Sequence, residues 1–151
     1  NMITEFELIL KLVLAVALGA IVGFERELDD EPAGVRTHIL VILGSTLFTI
    51  LSIDFLGASD PSRVAANVVV GIGFIGAGAI FRAENKVKGI TTAASLWVIA
   101  AIGMAVGLGF YIAATVTAIM VFAVLFVKRF ISKGKKNSGY NEKPALPANV
   151  S

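Results

Sequence analysis

Asp60-Pro61-Ser62-Arg63-Val64-Ala65-Ala66-Asn67-Val68-Val69-Val70-Gly71-Ile72-Gly73-Phe74-Ile75-Gly76-Ala77-Gly78-Ala79-Ile80-Phe81 is an apolar run of membrane-span length with four glycines set into it. A helix facing only lipid has no use for them. Each glycine in a helix interior costs roughly 1 kcal/mol against alanine, so the cluster points to other backbones coming very close. At about 100° per residue, Asn67, Gly71 and Gly78 share one face, and Gly73 and Gly76 lie nearly opposite. The spacing predicts a central helix from Arg63 or Val64 to Phe81, grooved on two sides.

Composition sets the solvent of that helix. The chain has 151 residues, 56% hydrophobic and only 16% charged, with a mean hydropathy of +0.85. Ordinary soluble domains carry about 25% charged residues. The class is therefore all-α: a polytopic helical protein of the lipid bilayer. No cysteine is present, which excludes disulfides, thiolate metal sites and thiol catalysis. Net charge is +2, and no nucleic-acid partner is expected.

Working outward, Gly89 to Val127 contains no charged residue. As one helix it would be about 59 Å long, nearly twice a hydrocarbon core of about 30 Å. Two spans are required, with the break at Gly107-Leu108-Gly109: Ile90 to Val106 and Phe110 to Val127. Toward the N-terminus, helix one is expected from Leu8 to Phe24 and helix two from Thr37 to Leu56. Glu5 and Glu7 stand where a signal peptide has basic residues, so a removable leader is not expected. Lys11 is expected to snorkel to the interface. Ala15, Gly19 and Gly23 recur every fourth residue, a small-residue ridge for helix packing.

The total is five spans. With the loop after helix one on the cytoplasmic side, that side collects Arg26, Arg36, Arg82, Lys86, Lys88 and six basic residues of the tail, leaving Lys11 and Arg63 outside. The positive-inside rule then puts the N-terminus outside and the C-terminus in the cytoplasm. The membrane domain is expected over residues 5–130, and 131–151 as a basic, disordered cytoplasmic tail.

Each polar motif has more than one reading. Gly71-Ile72-Gly73-Phe74-Ile75-Gly76 spells the dinucleotide fingerprint, but it lacks the strand, helix start and acidic residue that such a site needs. Close helix packing or a partly unwound, ligand-lining segment suits it better. His38, Ser45, Thr49 and Ser52 form a stripe on helix two, fit either for hydrogen bonds to helices or for the wall of a water-filled path. Glu25, Arg26 and Glu27 end helix one near Arg36, Thr37 and His38 at the start of helix two. These residues read as an ion-pair cluster, or as a gate or partner site. Asp29, Asp30 and Glu31 form an acidic run that would attract a divalent cation weakly, but it reads first as a solvated loop. One histidine beside carboxylates is not a metal site by spacing, so a metal ligand set stays unassigned. Asp60 suits a helix N-cap, with Arg63 beside it. Thr91, Thr92 and Ser95 open helix four beside the glycine helix, and Trp97 reads as an interfacial anchor.

Five ordered blocks together resemble the membrane domain of the MgtC/SapB family. They are Gly23-Phe24-Glu25-Arg26-Glu27, Gly34-Val35-Arg36-Thr37-His38, Asp60-Pro61-Ser62-Arg63, Gly71 to Gly78, and Gly89 to Trp97. The resemblance covers residues 5 to 130. It implies a bacterial inner-membrane protein connected with magnesium limitation and, in pathogens, with survival in macrophages. It further implies a regulatory role that includes restraint of the F-type ATP synthase. Longer members carry a soluble C-terminal domain that the tail after Phe130 does not resemble.

Three functions compete. An ion path for magnesium or protons would want buried carboxylates or histidine, and the middle thirds of the five spans have no ionisable residue. Hydroxyls, Asn67 and glycine carbonyls could still line one. A regulatory protein docking on the F-type ATP synthase or another membrane protein, or on a second copy of itself, suits the small-residue ridges. An enzyme lacks a nucleophile and base, a metal cluster or a cofactor motif. Regulation is the favoured reading, with no cofactor and with magnesium as the one ion to consider as ligand or substrate.

Overall fold

The computed structural model describes residues 4–55, 62–83 and 86–137. Five helices and one short hairpin make up this part. Helix α1 (Glu5–Leu28) starts at Thr4, whose hydroxyl accepts the Glu7 N–H at 3.3 Å, and Glu5 and Glu7 in its first turn suit the positive end of the helix dipole. Helix α2 (Val35–Ile50) begins after Gly34, which has no side chain to cap it. Glu27 of α1 does so instead, accepting the Val35 N–H at 2.9 Å. One π-helical turn, Leu51–Phe55, continues α2. Helix α3 (Ser62–Gly78) leads to strands β1 (Phe81–Ala83) and β2 (Lys86–Lys88), an antiparallel pair in which Phe81 faces Lys88. This hairpin replaces the plain loop expected there. Helix α4 (Ile90–Leu108) ends at Gly109, whose φ of 86° no ordinary residue adopts easily. The break thus falls where the uncharged stretch required one. Helix α5 (Tyr111–Asn137) runs on into the segment expected to be a tail. The cap expected of Asp60 lies outside the described residues.

The molecule has the polarity of a membrane protein. Phe74 and Ile112 on the outer surface are 77% and 83% exposed, while Lys11, Arg26, His38 and a set of hydroxyls are buried. Helices α1, α4 and α2 with its continuation (Val35–Ile53) are long and apolar enough to cross a membrane; α3 and the apolar part of α5 (Tyr111–Val127) are shorter. Lys11 of α1 reaches the Gly107 carbonyl near the end of α4, and Thr92 near the start of α4 reaches Glu31 just after α1, so these two helices run antiparallel. Thr46 meets Gly103 and His38 meets Ser95, so α2 and α4 run parallel.

The central helix is α4, not α3. Helix α4 packs against all four others, whereas α3 leans mainly on α4 and buries only Ile72 and Gly76. Among the described residues, a methyl at Gly71, Gly73 or Gly78 would meet nothing within 4 Å, and one at Gly76 would rest on Ala93 at an ordinary 3.6 Å. The tight backbone approaches lie elsewhere. The ridge on α1 is one: a Cβ at Gly23 would sit 2.7 Å from the Val35 Cα. On α4, a Cβ at Gly103 would collide with Ser45 Oγ and approach the Ile42 carbonyl to 2.6 Å. That closeness lets the Thr46 hydroxyl donate to the Gly103 carbonyl at 2.9 Å.

Lys11 also departs from expectation. It does not snorkel outward but is 5% exposed, with its ammonium 3.0 Å from the Gly107 carbonyl and 3.6 Å from Glu7. A cation at the carbonyl end of α4 complements the negative end of that helix dipole.

Thermal unfolding in detergent separates the two glycine sets. Gly103→Ala should destabilise the bundle by about 1–3 kcal/mol through overpacking. Gly71→Ala should be neutral or stabilise by up to about 1 kcal/mol through helix propensity. Equal effects would contradict this packing.

Candidate functional site

Arg26 lies in the last turn of α1 and is fully buried, as is Glu25 beside it. A guanidinium removed from water must find anions, because an unpaired buried charge costs several kcal/mol. Its Nε donates to Glu25 Oε2 at 2.6 Å. The other two nitrogens point to the chain that follows α1: Nη2 is 3.6 Å from Asp29 Oδ2, and Nη1 is 3.7 Å from Glu31 Oε1. These are ion-pair distances, too long for hydrogen bonds. Among the described residues, neither terminal nitrogen nor Glu25 Oε1, all three buried, has a hydrogen-bond partner.

From this centre the contacts spread to the other helices. Glu31 Oε2 accepts from the Thr92 hydroxyl at 3.0 Å, joining the α1–α2 connection to α4. That connection turns at Asp30, which has a φ of 56°, a conformation asparagine and aspartate tolerate better than most residues. His38, in the second turn of α2, is buried. Its Nδ1 is 2.9 Å from the Gly34 carbonyl and its Nε2 is 3.1 Å from Ser95 Oγ on α4. Ser95 Oγ is in turn 2.8 Å from the Thr92 carbonyl. One end of the bundle thus holds a polar network drawn from α1, its following loop, α2 and α4.

The candidate residues divide accordingly. Glu25, Arg26 and His38 come together, and Thr92 and Ser95 join them instead of serving the glycine helix. Glu27 is exposed and caps α2. Arg36 is exposed and takes no part in the cluster, which corrects its expected pairing with the acids; Thr37 is half-buried. Thr91, Arg63 and Asn67 are exposed, and Trp97 is half-exposed beside the groove between α3 and α4. Asp29 and Glu31 were read as a solvated run, yet they face Arg26. The i,i+3 spacing of Arg26 and Asp29 could have signalled one of these contacts. Nothing local signals the other. Among the described residues, no three histidine or acidic side chains are arranged to hold a metal ion.

Two hydroxyls of the α2 stripe are bonded to the backbone of their own helix. Ser45 donates to the Ile42 carbonyl at 3.1 Å and Thr49 to the Ser45 carbonyl at 2.7 Å, beside the Thr46 link to α4. Leu18, Val22, Ile42, Ile99, Ile102 and Val106 belong to one buried apolar cluster in the core of the bundle.

The cluster makes a stability prediction. Arg26→Ala leaves Glu25 buried and unpaired and should cost about 3–5 kcal/mol. Arg36→Ala, at an exposed position, should stay within about 0.5 kcal/mol of the parent in the same thermal unfolding measurement.

Residues 12–133 match the model of the MgtC family. A protein of Escherichia coli (strain K12) named "Putative magnesium transporter YhiD" is 44% identical over 145 residues, covering 89% of this chain and 66% of that protein. Protein MgtC of Brucella abortus (strain 2308) is 44% identical over 110 residues, 73% of this chain and 46% of its own length. Protein SapB of Bacillus subtilis (strain 168) is 40% identical over 114 residues, 70% and 49% respectively. The chain therefore spans between about half and two thirds of these relatives. No solved structure matches it. With a family match across most of its length and a bundle whose surface is built for lipid, this chain belongs to the MgtC family of membrane proteins.

Proposed function

We propose that this chain is the membrane domain of a regulatory protein of the bacterial inner membrane, connected with adaptation to low magnesium. It acts by contact with another membrane complex, the F-type ATP synthase first among candidates. In this proposal all five helices cross the bilayer, with the N-terminus outside and the polar network and basic hairpin at the cytoplasmic face. The magnesium connection draws on the family resemblance and on the name that YhiD carries.

The observation that supports regulation over conduction is the apolar plug. Buried aliphatic side chains fill the core between the Arg26 network at one end and Lys11 at the other. The hydroxyls Ser45, Thr46 and Thr49 are committed to helix carbonyls. A hydrated magnesium ion, which gives up its waters reluctantly, has no row of carboxylates to receive it there.

One feature favours a second reading, transport. A groove of about 340 Å³ between α2 and α3 is lined by Gly44, Ser45, Asn67 and Gly71 among apolar side chains. It offers a polar amide and small residues along a side of the bundle.

Purified protein in sealed liposomes separates the readings through magnesium and proton flux. Regulation predicts flux no greater than that of empty vesicles from correctly inserted protein, and recovery of ATP synthase subunits after cross-linking in membranes. Flux that Glu25→Ala abolishes would establish transport instead.

A further inference from the structure

His38 is the chain's single histidine, it is wholly buried, and both of its ring nitrogens face oxygen. The Gly34 carbonyl, 2.9 Å from Nδ1, can only accept, so Nδ1 carries a hydrogen whether the ring is neutral or charged. Ser95 Oγ, 3.1 Å from Nε2, can donate or accept. The same oxygen is 2.8 Å from the Thr92 carbonyl. One hydroxyl hydrogen therefore has two acceptors within reach.

Each charge state of the ring has a complete set of bonds. With neutral His38, Ser95 donates to the bare Nε2. With imidazolium, Nε2–H donates to Ser95 Oγ and the hydroxyl hydrogen turns to the Thr92 carbonyl. Neither arrangement leaves a ring nitrogen or the hydroxyl unmatched, which removes one of the two costs of charging a buried imidazole, the other being loss of hydration. We propose that His38, Ser95 and Thr92 form a proton-linked switch between α2 and α4, in which a proton gained by the buried imidazole is accommodated by rotation of the Ser95 hydroxyl from Nε2 to the Thr92 carbonyl.

The surroundings connect this rotation to the rest of the network. From α1, Glu25 and Arg26 act on the imidazole by their charges. Arg36 on α2 is exposed, and Glu31 from the connecting loop bonds the Thr92 hydroxyl. Helix α4 presents Ser95 and Thr92 here and contains no ionisable side chain. Protonation converts a neutral O–H···N bond between α2 and α4 into a charge-assisted N–H···O bond, which is shorter and stronger. It also changes the load on Thr92, whose hydroxyl holds the loop through Glu31 and Arg26. The switch goes beyond the reading of partner contact and is compatible with either function.

The test uses the full chain in lipid nanodiscs with isotope-labelled histidine ring nitrogens, followed by NMR from about pH 5 to 8. Every ring signal then belongs to His38. The expected neutral form is protonated on Nδ1 and bare on Nε2, and acidification protonates both. Ser95→Ala should displace the midpoint by roughly half a pH unit or more, the scale of one modest hydrogen bond, and Ser95→Thr should restore it. Three results overturn the proposal: one unchanging protonation state across the range in folded protein, a neutral form protonated on Nε2, or an unmoved midpoint in Ser95→Ala. The wild-type tautomer and its titration decide the matter even where Ser95→Ala does not fold.

Discussion

A guanidinium buried at the end of a transmembrane helix constrains everything around it. Arg26 cannot reach bulk water, so carboxylates must come to it, and they come from its own helix and from the chain just beyond. Holding Glu31 in place draws in Thr92, and Thr92 brings the start of α4 against the turn between α1 and α2. Glu27, on the outer side of the same helical turns, caps α2. One electrostatic requirement therefore sets the position of three helix ends.

Deeper in the bilayer the helices are held differently. Lipid tails are as apolar as leucine, so burial of aliphatic groups supplies little driving force between helices. Close backbone approach supplies dispersion contacts and brings hydroxyls within reach of carbonyls on the neighbouring helix. Gly23 permits this between α1 and α2, and Gly103 between α2 and α4. The Thr46 bond to the Gly103 carbonyl depends on that distance. Toward the opposite end Lys11 ties α1 to the last carbonyls of α4, so the antiparallel pair is pinned by polar contacts near both ends.

Helix α3 shows the limit of reading glycine as a sign of packing. Its four glycines are compatible with close approach on two faces, yet among the described residues only Gly76 has a neighbour within van der Waals reach, and that neighbour is Ala93 of α4. A missing side chain lowers the barrier to contact without naming the partner. Gly103 and Gly107 of α4, the second of them read as part of a break, are the glycines against which α2 packs.

The membrane class, the two spans within the uncharged stretch and the ridge of Ala15, Gly19 and Gly23 follow from the order of residues, because hydropathy and helical spacing are local properties. The importance of Glu25, Arg26 and His38 is legible for the same reason: ionisable groups beside apolar runs are costly unless they are matched. Their partners are not legible. On α4, Thr92 and Ser95 lie far along the chain from Glu31 and His38, which they meet, and the inward turn of Lys11 depends on a carbonyl in another helix. Packing also separates Arg36, which stays exposed, from Arg26 ten positions earlier, which does not. Such choices turn on which helix faces meet in three dimensions, and only the folded bundle contains that information.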